Sequence, residues 1–81
     1  MRVTIRLFAR LRDLVGQAEL TREVAAPATA ATVWSALLAE HPAAGDFERT
    51  MSVAVNATYA RMHTPVADGD EVAFLPPVSG G

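Results

Sequence analysis

Only one stretch of this chain repeats its apolar residues at helical spacing for several turns, and prolines bound it on both sides. Between Pro27 and Pro42, Val33 and Leu37 stand four residues apart, with Ala30, Trp34 and Leu38 widening the stripe. Thr29 is placed to cap the start, and Pro42 disfavours helical geometry at His41, ending the helix there. Elsewhere the apolar period is two, the mark of half-buried strands. In residues 2–8, Val3, Ile5 and Leu7 point one way while Arg2, Thr4, Arg6 and Phe8 point the other. Residues 18–25 alternate through Leu20, Arg22 and Val24 and read as a second strand, antiparallel to the first. Residues 52–56 form a short apolar strand closed by Asn56, and residues 58–62 return as a brief edge strand. The last strand, residues 71–75, sends Val72 and Phe74 one way and Ala73 and Leu75 the other. Between the first two strands, Leu11 and Leu14 mark a short helical turn that Gly16 ends. Residues 43–51 read as a polar connection, and Asp68 with Gly69 as a hairpin turn. The expected fold is therefore α+β: a mixed β-sheet with one main helix packed on one face.

One helix covers one sheet face, so the opposite face is left to solvent or to a partner. Alternation places Thr4, Arg6, Phe8 and Leu75 there, with Tyr59 nearby, and apolar residues set among arginines suggest a binding surface. The 81 residues hold one domain, and a hydrophobic content of 51% is sufficient for one modest core. A net charge of −2 argues against nucleic acid as a partner. Arg2, Arg6, Arg10 and Arg12 interrupt any apolar leader, and Pro27 breaks the longest uncharged run, residues 24–39, so no membrane segment and a cytoplasmic location are expected. With no cysteine there is no disulfide and no thiolate metal site. His41 and His63 lack partners at metal-ligand spacing, and Asp68, Asp70 and Glu71 do not follow the calcium-loop pattern, so no metal is expected. Ser79 has no base near it in sequence, and Gly16, Gly45 and Gly69 are isolated rather than forming a phosphate loop. These exclusions point to a binding or carrier module, not to a self-contained enzyme.

The chain ends in Pro76, Pro77, Val78, Ser79, Gly80 and Gly81. Two prolines stop strand pairing and favour a stiff, extended backbone, so residues 1–75 are expected to be the domain and residues 76–81 an extended, flexible tail. Fully extended, those residues reach roughly 20 Å. Gly80 and Gly81 give the narrowest polypeptide cross-section, and no charged side chain follows Glu71. Such a tail suits insertion of a terminal carboxylate into a tunnel in another protein, because no side-chain charge has to shed its hydration. A carboxylate must be activated before it reacts, most simply as an acyl-adenylate. The chain has no lysine and no cysteine, so none of its side chains would attack that activated group.

Residues 8–16 (FARLRDLVG), Val55 with Asn56, and above all residues 68–81 (DGDEVAFLPPVSGG) resemble MoaD-type sulfur carriers, the small subunits of molybdopterin synthase within the MoaD/ThiS ubiquitin-like family. The resemblance runs the full length and is weakest around residues 43–51. It implies a ubiquitin-like β-grasp fold. It also implies that a MoeB-type adenylyltransferase, using ATP, adenylates Gly81, and that a sulfur donor then converts the carboxylate to a thiocarboxylate. The tail would enter the large subunit of molybdopterin synthase and give its sulfur to cyclic pyranopterin monophosphate during molybdenum cofactor biosynthesis. Catalytic side chains would lie on the large subunit, the assembly would be a heterotetramer, and this chain would bind no cofactor of its own. Phe8 and Leu75, already placed outward by alternation, match family positions facing the large subunit, and Arg12 matches a further surface position. Competing readings are a sulfur carrier for thiamine or a sulfur amino acid, a ubiquitin-like protein modifier, and an interaction domain with an inert tail.

Overall fold

Alternation in β1 (Arg2–Leu7) buries Val3, Ile5 and Leu7 and leaves Thr4 and Arg6 half-buried on the other face. The computed structural model describes residues 1–77. After β1 come α1 (Ala9–Val15), β2 (Glu19–Glu23), β3 (Ala28–Thr29), α2 (Ala30–Glu40) and a 3-10 segment (Pro42–Phe47). The chain continues through β4 (Ser52–Val55), β5 (Thr58–Ala60), β6 (Pro65–Val66) and β7 (Glu71–Leu75). Five strands form one mixed sheet in the order β2-β1-β7-β4-β5, with β1 and β7 parallel and the other pairs antiparallel; β3 and β6 form a separate two-stranded ladder. This is the α+β mixed sheet expected from the residue pattern, in the β-grasp arrangement that the resemblance implied.

The core lies between the sheet and α2. Ala30, Val33, Trp34 and Leu37 are the buried side of the helix, and they meet Val3, Ile5, Leu7, Val72 and Phe74 from the strands. Trp34 and Phe74 pack with ring centroids 4.9 Å apart and planes tilted at 55°, a favoured aromatic geometry. At the helix start the Thr29 N–H donates to Thr32 Oγ1 at 3.1 Å, which satisfies a donor at the cap. Near its end Glu40 accepts from Arg22 Nε and Nη2, both at 2.6 Å, tying α2 to β2. That bidentate pair lowers the Glu40 carboxyl pKa below its ordinary value, and it offsets the unfavourable placing of an anion near a helix C-terminus.

Two local expectations need correction. Residues 43–51 are not simply a polar connection, because Pro42–Phe47 winds into a 3-10 segment with Pro42 in its first turn and Ala44 fully buried. Proline presets the backbone for such a start, and the buried methyl anchors it. Trp34 Nε1 then donates to Glu48 Oε1 at 2.7 Å, fixing the end of that segment to α2. The short helical turn expected around Leu11 and Leu14 is α1, closed by left-handed Gly16, with Leu11 buried and Leu14 38% exposed. The second correction is that Asp68 and Gly69 make a turn but not a hairpin: the strand before them, β6, pairs with β3, whereas β7 pairs with β1 and β4.

That turn is instead stapled to two distant segments. Asp68 Oδ1 accepts from the Arg2 N–H at 2.7 Å, and the Gly69 N–H (φ 88°) donates to the Arg2 carbonyl at 2.7 Å. Asp70 accepts from Asn56 Nδ2 at 3.0 Å and from the Ala67 N–H at 2.7 Å, while Asn56 Oδ1 accepts from the Glu71 N–H at 3.0 Å. The Asn56 hydrogen bond, then that of Ala67, holds the Asp70 carboxyl below its usual pKa. A carboxyl with a lowered folded pKa contributes stability that is fully present above its unfolded pKa and lost as pH falls through the folded value. Replacing Asp70 by Ala should therefore destabilise the protein near neutral pH by about 1 kcal/mol, allowing for the exposure of the clasp. In urea unfolding the gap between variant and parent should shrink once the pH drops below about 4.

The β4–β5 connection has two residues, Asn56 and Ala57, with φ of 50° and 67°. Positive φ at both central positions marks the mirror-image turn that suits strand twist, and its second position favours glycine. Left-handed backbone costs a residue with a Cβ about 1–2 kcal/mol, part of which glycine returns through unfolded-state entropy. Ala57→Gly should thus raise stability by about 0.5–1 kcal/mol, seen as a higher midpoint in thermal unfolding.

Candidate functional site

Opposite the helix, one row of residues crosses all five strands in register: Glu19, Arg6, Ala73, Ala54 and Tyr59. Its two central members are alanines facing each other on β7 and β4, while the flanking residues are long. Small residues between large ones leave a depression, a hollow of about 290 Å³ floored by Ala54 and Ala73 and walled by Phe8, Leu75 and Tyr59. Tyr59 is 80% exposed. A large aromatic left uncovered beside apolar walls is the composition expected of an interface core.

Polar groups close one side. The Arg6 guanidinium lies 5.6 Å from the centroid of the Phe8 ring, within range of a cation–π contact. Its Nη1 is 3.7 Å from Glu71 Oε2 and its Nε is 4.0 Å from Glu19 Oε1. The Nε is buried without a hydrogen-bond partner. The hollow is thus apolar at its centre, with a loosely neutralised cation at its rim. Exposed pairs of this kind contribute little to stability; their effect here is to keep Arg6 laid over Phe8.

The structure brings together Phe8, Tyr59 and Leu75, three of the four residues singled out as a partner surface. Arg12 is exposed on α1 and does not line this hollow. The chain leaves the sheet through Ala9, at a left-handed φ of 50°, so Phe8 stays on the outer face while α1 turns away. Thr4 is half-buried. Ala54, Ala73 and Glu71 were missed as site residues; the alternation of residues 71–75 did put Ala73 on this face, but nothing local reveals that it lies opposite Ala54. Pro76 is buried and Pro77 exposed, so the residue expected to begin a free arm packs on the body. The expectations for Val78, Ser79, Gly80 and Gly81 fall outside the described residues.

Among the described residues no group of three or more His, Asp or Glu is arranged to hold a metal ion, and no helix is long and apolar enough to cross a membrane. Asp68 and Asp70 are engaged by backbone and by Asn56 instead.

Comparison with known proteins agrees with this architecture. Residues 5–81 match the ThiS family. The molybdopterin synthase sulfur carrier subunit of Chlamydomonas reinhardtii is 36% identical over 83 residues, covering 100% of both chains. The subunit of the same description from Escherichia coli (strain K12) is 36% identical over 86 residues, covering 98% of this chain and 99% of that one. Small archaeal modifier protein 1 of Haloferax volcanii is 33% identical over 84 residues, covering 94% of this chain and 97% of that protein. A crystal structure of SAMP1 from Haloferax volcanii aligns with a TM-score of 0.87 and 31% identity over 100% of each chain. With a ubiquitin-like β-grasp body and a family match that takes in nearly its whole length, the chain belongs to the ThiS family.

Proposed function

We infer that this chain is the sulfur carrier subunit of molybdopterin synthase, and that its reactive group is the Gly81 carboxylate. The observation that carries this reading is the similarity, over the whole length of both chains, to a curated sulfur carrier subunit of that enzyme. A MoeB-type partner adenylates the carboxylate with ATP, and a sulfur donor displaces AMP to leave a thiocarboxylate. The apolar hollow walled by Phe8, Leu75 and Tyr59 docks on the large subunit. Residues 78–81 then deliver the sulfur to cyclic pyranopterin monophosphate in the large subunit's pocket, and the chain departs as carboxylate to be reloaded. The tail supplies the reactive end, while the partner supplies the acid–base chemistry. This chain binds no cofactor of its own. Absence of lysine and cysteine keeps its own side chains from intercepting the activated acyl group.

The likeness to small archaeal modifier protein 1 favours a second reading, attachment of Gly81 to amines on other proteins. Mass spectrometry of the chain produced with its activating enzyme and a sulfur source separates the two. The carrier reading expects the mass gained when sulfur replaces one carboxylate oxygen, and a further gain of one alkyl group when a thiol-selective alkylating agent caps the thiocarboxylate sulfur. Covalent high-mass adducts with no such species would favour the modifier, and an unchanged mass would refute both.

A further inference from the structure

Consecutive residues at the end of β7 face two different hollows. Leu75 lines the sheet-face hollow, whereas Pro76 and Pro77 line a second one of about 330 Å³ with Arg10, Asp46, Phe47 and Thr50. We propose that this tail-root hollow is the second half of the docking socket, and that a carboxylate-bearing rim segment of the large subunit occupies it, pairing with Arg10. The inference rests on the carrier reading above and adds to it the chemistry of the partner's rim.

Reach is the first consideration. On the carrier reading Gly81 bears the reacting group, and residues 78–81, at 3.3–3.6 Å each, separate it from Pro77 by about 14 Å at most. That group enters a partner's pocket only if the pocket's rim comes within this distance of Pro77. Pro77 itself lines this hollow, which puts the hollow within reach of such a rim.

Charge supplies the second argument. The Arg10 guanidinium stands 6.0 Å from the centroid of the Phe47 ring. It makes no ion pair within 4.0 Å among the described residues, although Asp46 lines the same hollow. Stacking on an aromatic orients a guanidinium without neutralising it. The ring is itself held in place, since Phe47 ends the 3-10 segment and the next residue, Glu48, accepts the hydrogen bond from Trp34. Arg6, at the other hollow, already has Glu71 and Glu19 beside it. Among the described residues Arg10 thus presents an open, pre-oriented cation beside Pro76 and Pro77, and a planar carboxylate meets its paired donors. The apolar hollow provides contact area, and Arg10 provides orientation and salt-dependent capture.

Titration calorimetry of the large subunit from the same organism against the full chain tests this, with circular dichroism checking that each variant folds. Arg10→Glu should weaken binding about ten-fold or more at about 50 mM salt and by less at about 300 mM. Arg10→Gln should fall between, with a flatter salt dependence than the parent. Unchanged or tighter binding by a folded Arg10→Glu, in an assay where Phe8→Asp abolishes binding, would overturn the tail-root socket and leave the carrier reading standing. Failure of the parent chain to bind the large subunit would overturn both.

Discussion

Extending the chain by a single alanine after Gly81 should abolish sulfur delivery while leaving folding and docking intact. One added residue moves the carboxylate by about 3.5 Å along an extended backbone. It also puts a Cβ where the proposed tunnel admits only glycine's cross-section. Misplacement of a reacting atom by about 1 Å already costs on the order of 100-fold, so transfer from the extended chain should fall by at least that factor. The body has no stake in the change, because the described fold closes at Pro76 and Pro77, and its stability should shift by no more than about 0.5 kcal/mol. The assay is single-turnover conversion of cyclic pyranopterin monophosphate by the reconstituted synthase, beside a binding titration of the same variant. Parent-like conversion by the extended chain would end the idea that the terminal carboxylate is the loaded group.

The second large effect is expected at Phe8. Aspartate there removes an aromatic wall of the sheet-face hollow and adds an anion to a surface that already holds Glu19 and Glu71 near Arg6. A buried aromatic anchor at an interface centre is commonly worth about 2–4 kcal/mol, which corresponds to a roughly 30- to 1,000-fold loss of affinity. The fold should tolerate the change. Phe8 is half-buried and sits at the N-cap of α1 with extended backbone (φ −130°, ψ 156°), and it makes no side-chain cap bond. Aspartate is a favoured residue at such a position. Calorimetry should therefore show lost binding to the large subunit by a protein with the parent's thermal midpoint. Undiminished affinity would remove the sheet face from the docking model.

Legibility of the fold followed the reach of each signal. Period two in residues 2–7 and 71–75 put Val3, Ile5, Leu7, Val72 and Phe74 inside, because neighbouring side chains on one strand alternate faces whatever the strand pairs with. Helix α2 was readable for a similar reason, its buried stripe and its Thr29 cap being properties of one continuous segment. The 3-10 segment was missed since its six residues, Pro42–Phe47, carry no readable apolar period and bury a single methyl, Ala44. The short β3–β6 ladder left no local trace, as two residues on each side give no period to read.

The site divides in the same way. The sequence by itself determined that Phe8, Tyr59 and Leu75 belong to an uncovered surface and that the chain carries no side-chain amine or thiol. Only the tertiary structure decided that Ala54 lies opposite Ala73, that Asn56 grips Asp70, and that Arg10 and Phe47 share a hollow with Pro76. The reason is physical: side-chain direction follows from local backbone geometry, whereas cross-strand register and the meeting of distant turns come from long-range pairing, which no segment specifies alone.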